Sequence, residues 1–209
     1  MRVCLLASGG LDSAVLTADL LKRGWEVHPL FVRCGHFWER AELHWLRRFL
    51  RKLGRGPFGK RLKPLTVAPA PVAWALGRHW SLDGKGVPPE GSPWDSVFLP
   101  GRNITLLSQA GLLCGRRGLD ASVLAVLKGN PFSDATPQFF RQMAAATGLS
   151  LNRRVGVLAP FLGLSKRQVL LRGAGLPLEL TFSCLRPRGR TACRRCSKCE
   201  ERERALRLR

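Results

Sequence analysis

Hydrophobic and polar positions along the chain fall into two alternating patterns, short apolar runs and longer segments with helical periodicity. The first apolar run covers residues 3–7, and the segment after it, residues 11–22, places its apolar side chains on one helical face. A second apolar run at 26–32 precedes an amphipathic segment at 38–53. Strands that alternate with helices pair in parallel through right-handed crossovers. We therefore expect an α/β fold with a doubly wound, mostly parallel sheet.

The same two patterns predict the remaining elements. Three more strands are expected at 65–68, 122–127 and 155–158. Three more helices are expected at 103–116, 138–146 and 166–172. Residues 82–100 are rich in Gly, Pro, Ser and Asp, and we expect them to form a mobile loop over the site.

A glycine-rich turn, Ser-Gly-Gly-Leu-Asp-Ser, separates the first strand from the first helix. Paired glycines leave no Cβ to obstruct an anion, and the first amides of a helix have no partner inside it, so the turn is typical of a phosphate site. Asp12 can help to hold a magnesium ion there. The alternative is an ordinary turn in which Asp12 or Ser13 only caps the helix. We assign phosphate binding to Ala7, Ser8, Gly9, Gly10, Leu11, Asp12 and Ser13.

Four cysteines towards the end of the chain have the spacing Cys-x8-Cys-x2-Cys-x2-Cys. Four thiolates on short loops suit a closed tetrahedral zinc site, which is structural because no ligand position stays vacant. An iron–sulfur cluster and unrelated buried or redox cysteines are the alternatives. The predicted ligands are Cys184, Cys193, Cys196 and Cys199. We expect an α/β domain at 1–180, followed by a zinc-binding segment with a terminal helix at 181–209.

Three further loops carry polar residues where a parallel sheet presents its ligand side. Arg102 offers a fork that grips phosphate or carboxylate, and Asn103 either caps a helix or orients a ligand. In the next loop, Phe132 is expected to stack on a heterocycle and Asp134 to accept its ring hydrogens, although a simple capped loop is the alternative. Lys166 begins a helix, and it is either functional or merely solvated.

Composition limits the function classes further. The chain has 209 residues, 45% of them hydrophobic, enough for one substantial core. No apolar run is long enough to span a bilayer and no signal peptide is visible, so we expect a cytoplasmic protein without a membrane partner. The net charge of +21 favours nucleic acid, but most of the 35 basic residues are arginines spread along the chain. We therefore do not expect nucleic acid as a partner.

The chain resembles the 7-cyano-7-deazaguanine synthase family from about residue 3 to residue 205. The resemblance lies in the first glycine turn, the Pro-Gly-Arg-Asn turn at 100–103, the Leu-Ser-Lys helix start at 164–166 and the segment 178–184 before the cysteines. The first turn is similar to the pyrophosphate loop of ATP pyrophosphatases, which cleave ATP between its α and β phosphates. The chain has no Gly-x-x-x-x-Gly-Lys-Ser/Thr sequence, which excludes the P-loop of kinases.

This resemblance implies a Rossmann-like fold of the adenine nucleotide α-hydrolase type and an ATP-dependent carbon–nitrogen ligase of queuosine biosynthesis. The family adenylates 7-carboxy-7-deazaguanine and uses ammonia to form the nitrile. The implied cofactors are ATP, magnesium and structural zinc, and a homodimer is expected. No protein nucleophile is needed, because positioning and charge neutralisation supply the catalysis.

The resemblance also implies roles for individual residues. The implied catalytic residues are Asp12, Arg102 and Lys166. Gly101, Arg102 and Asn103 join the first loop in binding ATP. The implied substrate-binding residues are Gly35, His36, Lys128, Phe132 and Asp134.

Two loops depart from the family pattern. The usual Gly-Gln pair after the second strand is Gly35-His36 here, and the usual Tyr-Pro-Asp-Cys-Arg-Pro-Glu-Phe segment is replaced by residues 132–139. One alternative is therefore a paralogue that adenylates another substrate, including a tRNA-modifying enzyme. The other is a zinc-ribbon module that binds nucleic acid, which leaves the first 180 residues unexplained.

Overall fold

A five-stranded parallel sheet forms the centre of the molecule, whose computed structural model describes residues 1–208. The strands are β1 (Arg2–Leu6), β2 (Glu26–Arg33), β3 (Thr66–Pro69), β4 (Ala121–Val123) and β5 (Gly156–Leu158). Their order in the sheet is β3-β2-β1-β4-β5. The strands β2 and β3 lie on one side of β1, and β4 and β5 lie on the other. The strand order therefore reverses between β1 and β4, and a crevice opens at their carboxyl ends. The predicted doubly wound parallel sheet is confirmed.

Helices cover both faces of this sheet. The longer ones are α1 (Leu11–Lys22), α2 (Glu39–Gly54), α5 (Arg102–Arg117), α6 (Pro137–Leu151) and α8 (Ser197–Leu206). The shorter ones are α3 (Ala73–Leu76), α4 (Trp80–Asp83) and α7 (Lys166–Arg172). Successive residues of β1 point to opposite faces: Val3 and Leu5 belong to the core that includes α1, α2 and α7, whereas Cys4 and Leu6 belong to the core that includes α5 and α6.

Two predicted elements end several residues away from the observed end. The strand expected at 122–127 ends at Val123, and residues 124–127 continue as irregular chain along the crevice. The helix expected at 138–146 continues to Leu151. Glycines of α5 explain the extension, because a Cβ at Gly111 would lie 2.7 Å from Thr147 and a Cβ at Gly115 would lie 2.8 Å from Leu151. The two helices therefore pack closely enough to stabilise the additional turn.

The loop at 82–100 lies against the cysteine segment. Its backbone pairs with that segment at Glu90, whose N–H donates to the Arg195 carbonyl at 3.1 Å, and at Pro88, whose carbonyl accepts from Ser197 N–H at 3.0 Å. A 3₁₀ turn at Trp94–Val97 adds further local order. The mobility predicted for this loop stays a prediction.

The cysteine segment packs on the α/β core. Phe182 and Leu185 share an apolar cluster with Trp38 at the start of α2 and Leu99 of the preceding loop. Apolar contacts therefore cross the domain boundary expected at residue 180, and that division stays a prediction. Arg209, the last residue of the predicted segment, lies outside the described residues. Within residues 1–208, no helix has the length and apolar character that crossing a membrane requires.

A capping box begins α7 and fixes the backbone that carries Lys166. Ser165 Oγ accepts from the Gln168 N–H at 3.3 Å, and Gln168 Oε1 accepts from the Ser165 N–H at 2.8 Å. We expect Ser165→Ala to lower the free energy of unfolding by about 1 kcal/mol, because a helix amide loses its acceptor. Urea denaturation measures the change. Ser150→Ala is the control, since Ser150 is exposed on α6, and it should change stability by less than about 0.5 kcal/mol. Equal effects of the two substitutions would contradict the capping role.

Candidate active site

A cavity of about 640 Å³ opens above the carboxyl ends of β1, β2 and β4. This volume suits a small-molecule ligand. The cavity brings together residues from distant parts of the sequence, among them most of the predicted site residues. Those that line it are Ala7, Ser8, Gly10, Leu11, Asp12, Ser13, His36, Arg102, Asn103, Lys128, Phe132, Asp134 and Lys166. Of the predicted metal ligands only Cys184 lines it, and of the other predicted site residues Gly9, Gly35 and Gly101 are not among the lining residues.

The loop after β1 has the geometry of an anion cradle. Gly10 precedes α1, and no side chain caps that end of the 12-residue helix, so the alternative of an Asp12 or Ser13 cap is not what the structure has. Inside the loop, Ser13 Oγ accepts from the Ser8 N–H at 3.2 Å and lies 3.3 Å from Ser8 Oγ. The amides of the first turn of α1 therefore have no acceptor in the helix or on a side chain. They form the positive end of the helix dipole, which lies at the cavity.

Gly9 lets this loop pack tightly although it does not line the cavity. Its φ of +76° favours glycine, and a Cβ there would lie 3.1 Å from the Glu42 carbonyl oxygen and 3.3 Å from Leu46 Cβ. On its other side, the Gly9 carbonyl accepts from the Phe182 N–H at 2.9 Å. The loop is thus held between α2 and the start of the cysteine segment.

An ion-pair network joins the loop to α7 and α8. Lys166 Nζ lies 2.6 Å from Asp12 Oδ2 and 3.3 Å from Glu201 Oε1, and Lys198 Nζ lies 2.7 Å from Glu201 Oε2. Desolvation lowers the pKa of Lys166, but the Asp12 and Glu201 carboxylates outweigh that effect and raise it above its ordinary value. A positively charged ammonium group is therefore kept beside the anion cradle.

A carboxylate from the loop after β4 accepts hydrogen bonds at the start of α5. Asp134 Oδ2 accepts from the Asn103 N–H at 3.2 Å, and Asp134 Oδ1 accepts from Asn103 Nδ2 at 3.2 Å. Asn103 therefore does not cap α5, whose N-cap is Gly101 without a side-chain hydrogen bond; it donates to Asp134 instead. Arg102, the first residue of α5, is placed by this contact at the cavity wall.

The loop after β2 forms another wall of the cavity. Glu39 Oε1 accepts from the N–H groups of Cys34 and Gly35, so this buried carboxylate shapes the loop. The His36 ring stacks on Trp38 with centroids 4.8 Å apart, and His36 Nδ1 has no hydrogen-bond partner within residues 1–208. Desolvation and the nearby Arg102 guanidinium lower the pKa of His36 to about 4, which makes it a neutral ring at physiological pH. The ligand atoms of Cys34, His36 and Glu39 lie within 4.8 Å of one another.

Several residues that line the cavity were not predicted. They are Trp38, Glu42, Trp94, Phe98, Lys198 and Glu201. Glu42 carried a usable signal, because it lies in the first turns of the helix after β2, which a parallel sheet brings to the crevice. Phe98 and Glu201 carried no signal in the sequence, because their positions depend on how distant segments pack. The Phe98 and Phe132 ring centroids, for example, are 5.1 Å apart.

The four cysteines converge on one point. The ligand atoms of Cys184, Cys193, Cys196 and Cys199 all lie within 4.8 Å of one another. Cys199 Sγ is 3.5 Å from Cys196 Sγ and 3.9 Å from Cys193 Sγ. A tetrahedral zinc with Zn–S bonds of about 2.3 Å separates its sulfurs by roughly 3.8 Å, so the donor set fits one such ion. Backbone N–H groups of Cys193 and Leu185 donate to Cys184 Sγ and Cys196 Sγ, which favours thiolates.

This arrangement favours a single ion over an iron–sulfur cluster, in which different cysteines bind different iron atoms. It also links the metal site to the cavity, since Ser183 and Cys184 line the cavity beside the glycine loop. A Cβ at Gly10 would lie only 3.4 Å from Ser183 Oγ.

We expect Cys196→Ser to reduce zinc affinity by at least about ten-fold and to lower Tm, because the segment loses a thiolate ligand. Metal analysis of the purified protein and a thermal melt measure both effects. Cys114→Ala is the control, since it also removes a fully buried thiol. Cys114 is far from the four ligands in sequence and packs in the core that includes α5 and α6. Full zinc content in Cys196→Ser, or the same loss in Cys114→Ala, would show that the cluster is not the metal site.

Comparison with known proteins covers the whole chain. The family model described as "Queuosine biosynthesis protein QueC" matches residues 2–209. A relative from Desulfitobacterium hafniense (strain Y51), named 7-cyano-7-deazaguanine synthase 1, is 31% identical over 212 residues, which cover 99% of this chain and 92% of the relative. A relative from Methanosphaerula palustris, named 7-cyano-7-deazaguanine synthase, is 30% identical and covers 98% of this chain and 93% of its own length.

A solved structure shares the fold. A 4-thiouridine synthetase in complex with RNA and bound ATP aligns over 99% of this chain with a TM-score of 0.53 and 18% sequence identity. The present chain spans 50% of that structure's chain. At this identity the likeness concerns the fold alone.

Proposed function

The chain belongs to the QueC family of queuosine biosynthesis proteins, and from that premise we propose that it is an ATP-dependent carbon–nitrogen ligase. Its substrates are 7-carboxy-7-deazaguanine, ammonia and ATP, and its product is 7-cyano-7-deazaguanine. The observation that carries the proposal is that one cavity joins an uncapped helix N-terminus, five cationic side chains and an aromatic wall. The expected homodimer and cytoplasmic location stay predictions.

The chemistry has two activations. A carboxylate is a poor electrophile, so its oxygen first attacks the α-phosphorus of ATP and pyrophosphate leaves. Ammonia then displaces AMP from the acyl adenylate and gives the amide. In the second activation the amide oxygen attacks the α-phosphorus of a second ATP and pyrophosphate leaves. Loss of AMP and two protons from the adenylated amide then gives the nitrile. No group on the protein has to become covalently attached.

Residues of the cavity supply binding and charge. The first-turn amides of α1 and the Ser8 hydroxyl hold the phosphates, while Lys166, Arg102 and Lys128 neutralise them. Asp12 has a carboxylate at the cavity wall, a hard oxygen ligand that suits a magnesium ion, which would balance phosphate charge. If Asp12 binds magnesium instead of Lys166, Lys166 would still have Glu201 as an ion-pair partner.

Two observations bear on the alternatives. A thiolating enzyme needs a reactive thiol, whereas desolvation and the Glu39 carboxylate raise the pKa of Cys34, the cysteine nearest the loop after β2, to about 11. That thiol is protonated at neutral pH. A zinc-ribbon module would use the cysteine segment alone, whereas the family model matches residues 2–209.

The direct test is ATP-dependent formation of the nitrile. The zinc-loaded protein is incubated with magnesium, ATP, ammonium and 7-carboxy-7-deazaguanine, pyrophosphate is measured, and the products are identified by mass spectrometry. We expect the nitrile together with AMP and pyrophosphate. Pyrophosphate release with a different carboxylate and none with this base would indicate a paralogue with another substrate, and would overturn the proposed substrate.

Asp12→Asn tests the phosphate site. We expect kcat/KM for pyrophosphate release to fall by about 100-fold or more, because the metal-binding charge is lost while the side-chain volume is kept. Steady-state kinetics and zinc analysis measure the effect, and zinc content should not change. Asp83→Ala is the control, since Asp83 is exposed on α4 and does not line the cavity. Undiminished turnover in Asp12→Asn would place the phosphate site elsewhere.

A further inference from the structure

The cavity carboxylate that the sequence suggested for base recognition is already occupied. Both Asp134 oxygens accept hydrogen bonds from Asn103, through its backbone N–H and its side-chain amide. The contact at the start of α5 fixes the orientation of Asp134 and already uses one acceptor position on each of its oxygens. Another acceptor in the cavity therefore fits this role better.

Glu39 is likewise held by its own loop. Its Oε1 accepts two backbone N–H groups of the loop after β2, and its Oε2 lies 3.9 Å from Arg33 Nε. Withdrawing it from the loop would leave the amides of Cys34 and Gly35 without their acceptor.

Glu42 is different, because its carboxylate has no hydrogen bond or ion pair to any of residues 1–208 and it lines the cavity. Its backbone is fixed: its N–H donates to the Trp38 carbonyl at 3.0 Å, and its own carbonyl packs against Gly9 of the phosphate loop. Desolvation raises the pKa of Glu42 to about 8, an effect that Arg102 reduces and Glu39 strengthens. A ligand that donates hydrogen bonds would stabilise the charged carboxylate, which desolvation disfavours.

We propose that Glu42 binds the edge of the heterocycle on which a ring N–H and an exocyclic amino group lie side by side. This inference rests on the proposed function. The two carboxylate oxygens can accept two parallel N–H bonds, the geometry that makes bidentate pairs strong and selective. The guanine-type ring of 7-carboxy-7-deazaguanine carries this donor pair, and a hypoxanthine-type ring lacks the amino group.

The surroundings of Glu42 suit a flat, polar ring. On the same helix and the loop before it, Trp38 is stacked on His36, whose Nδ1 is a second polar atom without a partner among the described residues. Phe98 and Phe132 add another aromatic pair to the cavity wall. The Arg102 guanidinium lies near enough to lower the pKa of both Glu42 and His36, so it is placed to meet the acidic end of the ligand or a phosphate.

The test compares two bases in two proteins. The bases are 7-carboxy-7-deazaguanine and its analogue without the 2-amino group, and the proteins are the wild type and Glu42→Gln. We expect the wild type to prefer the amino base by at least about ten-fold in kcat/KM, since the analogue leaves a buried acceptor unpaired. Glu42→Gln should lose about 10- to 100-fold on the amino base, mostly in KM, and less than about three-fold on the analogue. Calorimetric binding of each base gives the same comparison without turnover.

Two further variants make the outcome specific. Glu200→Gln is the control, because Glu200 lies on α8, bonds Gly91 N–H and Arg204, and does not line this cavity. It should match the wild type with both bases. Asp134→Asn is the competitor: if it removes the preference for the amino base and Glu42→Gln keeps it, Asp134 is the acceptor and the inference is overturned.

The outcomes separate this inference from the proposed function. Nitrile formation by the wild type together with an unchanged preference in Glu42→Gln overturns the role of Glu42 and leaves the function standing. A wild type that does not distinguish the two bases also overturns it, and this result needs no variant to fold. A wild type that neither converts nor binds either base overturns both.

Discussion

The phosphate loop between β1 and α1 is held from two sides, and the rest of the site depends on that packing. Gly9 approaches α2 so closely that a Cβ would lie 3.1 Å from the Glu42 carbonyl, and its own carbonyl accepts from the Phe182 N–H. These contacts set the direction of the α1 amides. Because the same contact places Glu42, the proposed phosphate site and the proposed base site are held together.

The cysteine segment is consequently part of the site. Cys184 is both a predicted metal ligand and a cavity residue, and Glu201 of the adjoining helix lies 3.3 Å from Lys166 Nζ. A metal that fills all its positions with thiolates has no site for substrate and acts through the backbone it folds. A metal held there would therefore act through position: it would keep Ser183 and Cys184 beside the glycine loop and Glu201 beside Lys166.

What the sequence predicted well was local. Periodicity gave the helix at Leu11–Lys22 and the helix at Lys166–Arg172 with their observed bounds, and cysteine spacing gave a cluster whose sulfurs converge. The strand after α5 was predicted too long, because apolar residues that leave the sheet to line a cavity look like residues that stay in it. Glu201 and Phe98 were missed because only the packing of distant segments brings them to the cavity, and no spacing in the chain records such a contact.

The two loops that depart from the family pattern have different tasks in this fold. The loop after β4 uses Asp134 to close the start of α5 and so determines where Arg102 lies. The loop after β2 instead presents His36, with an unpartnered ring nitrogen, next to the helix that carries Glu42. A change in the first loop acts on the cation that meets phosphate or carboxylate, and a change in the second acts on the groups that meet the ring. If Glu42 binds the base as proposed, the side of β2 and α2 selects the substrate.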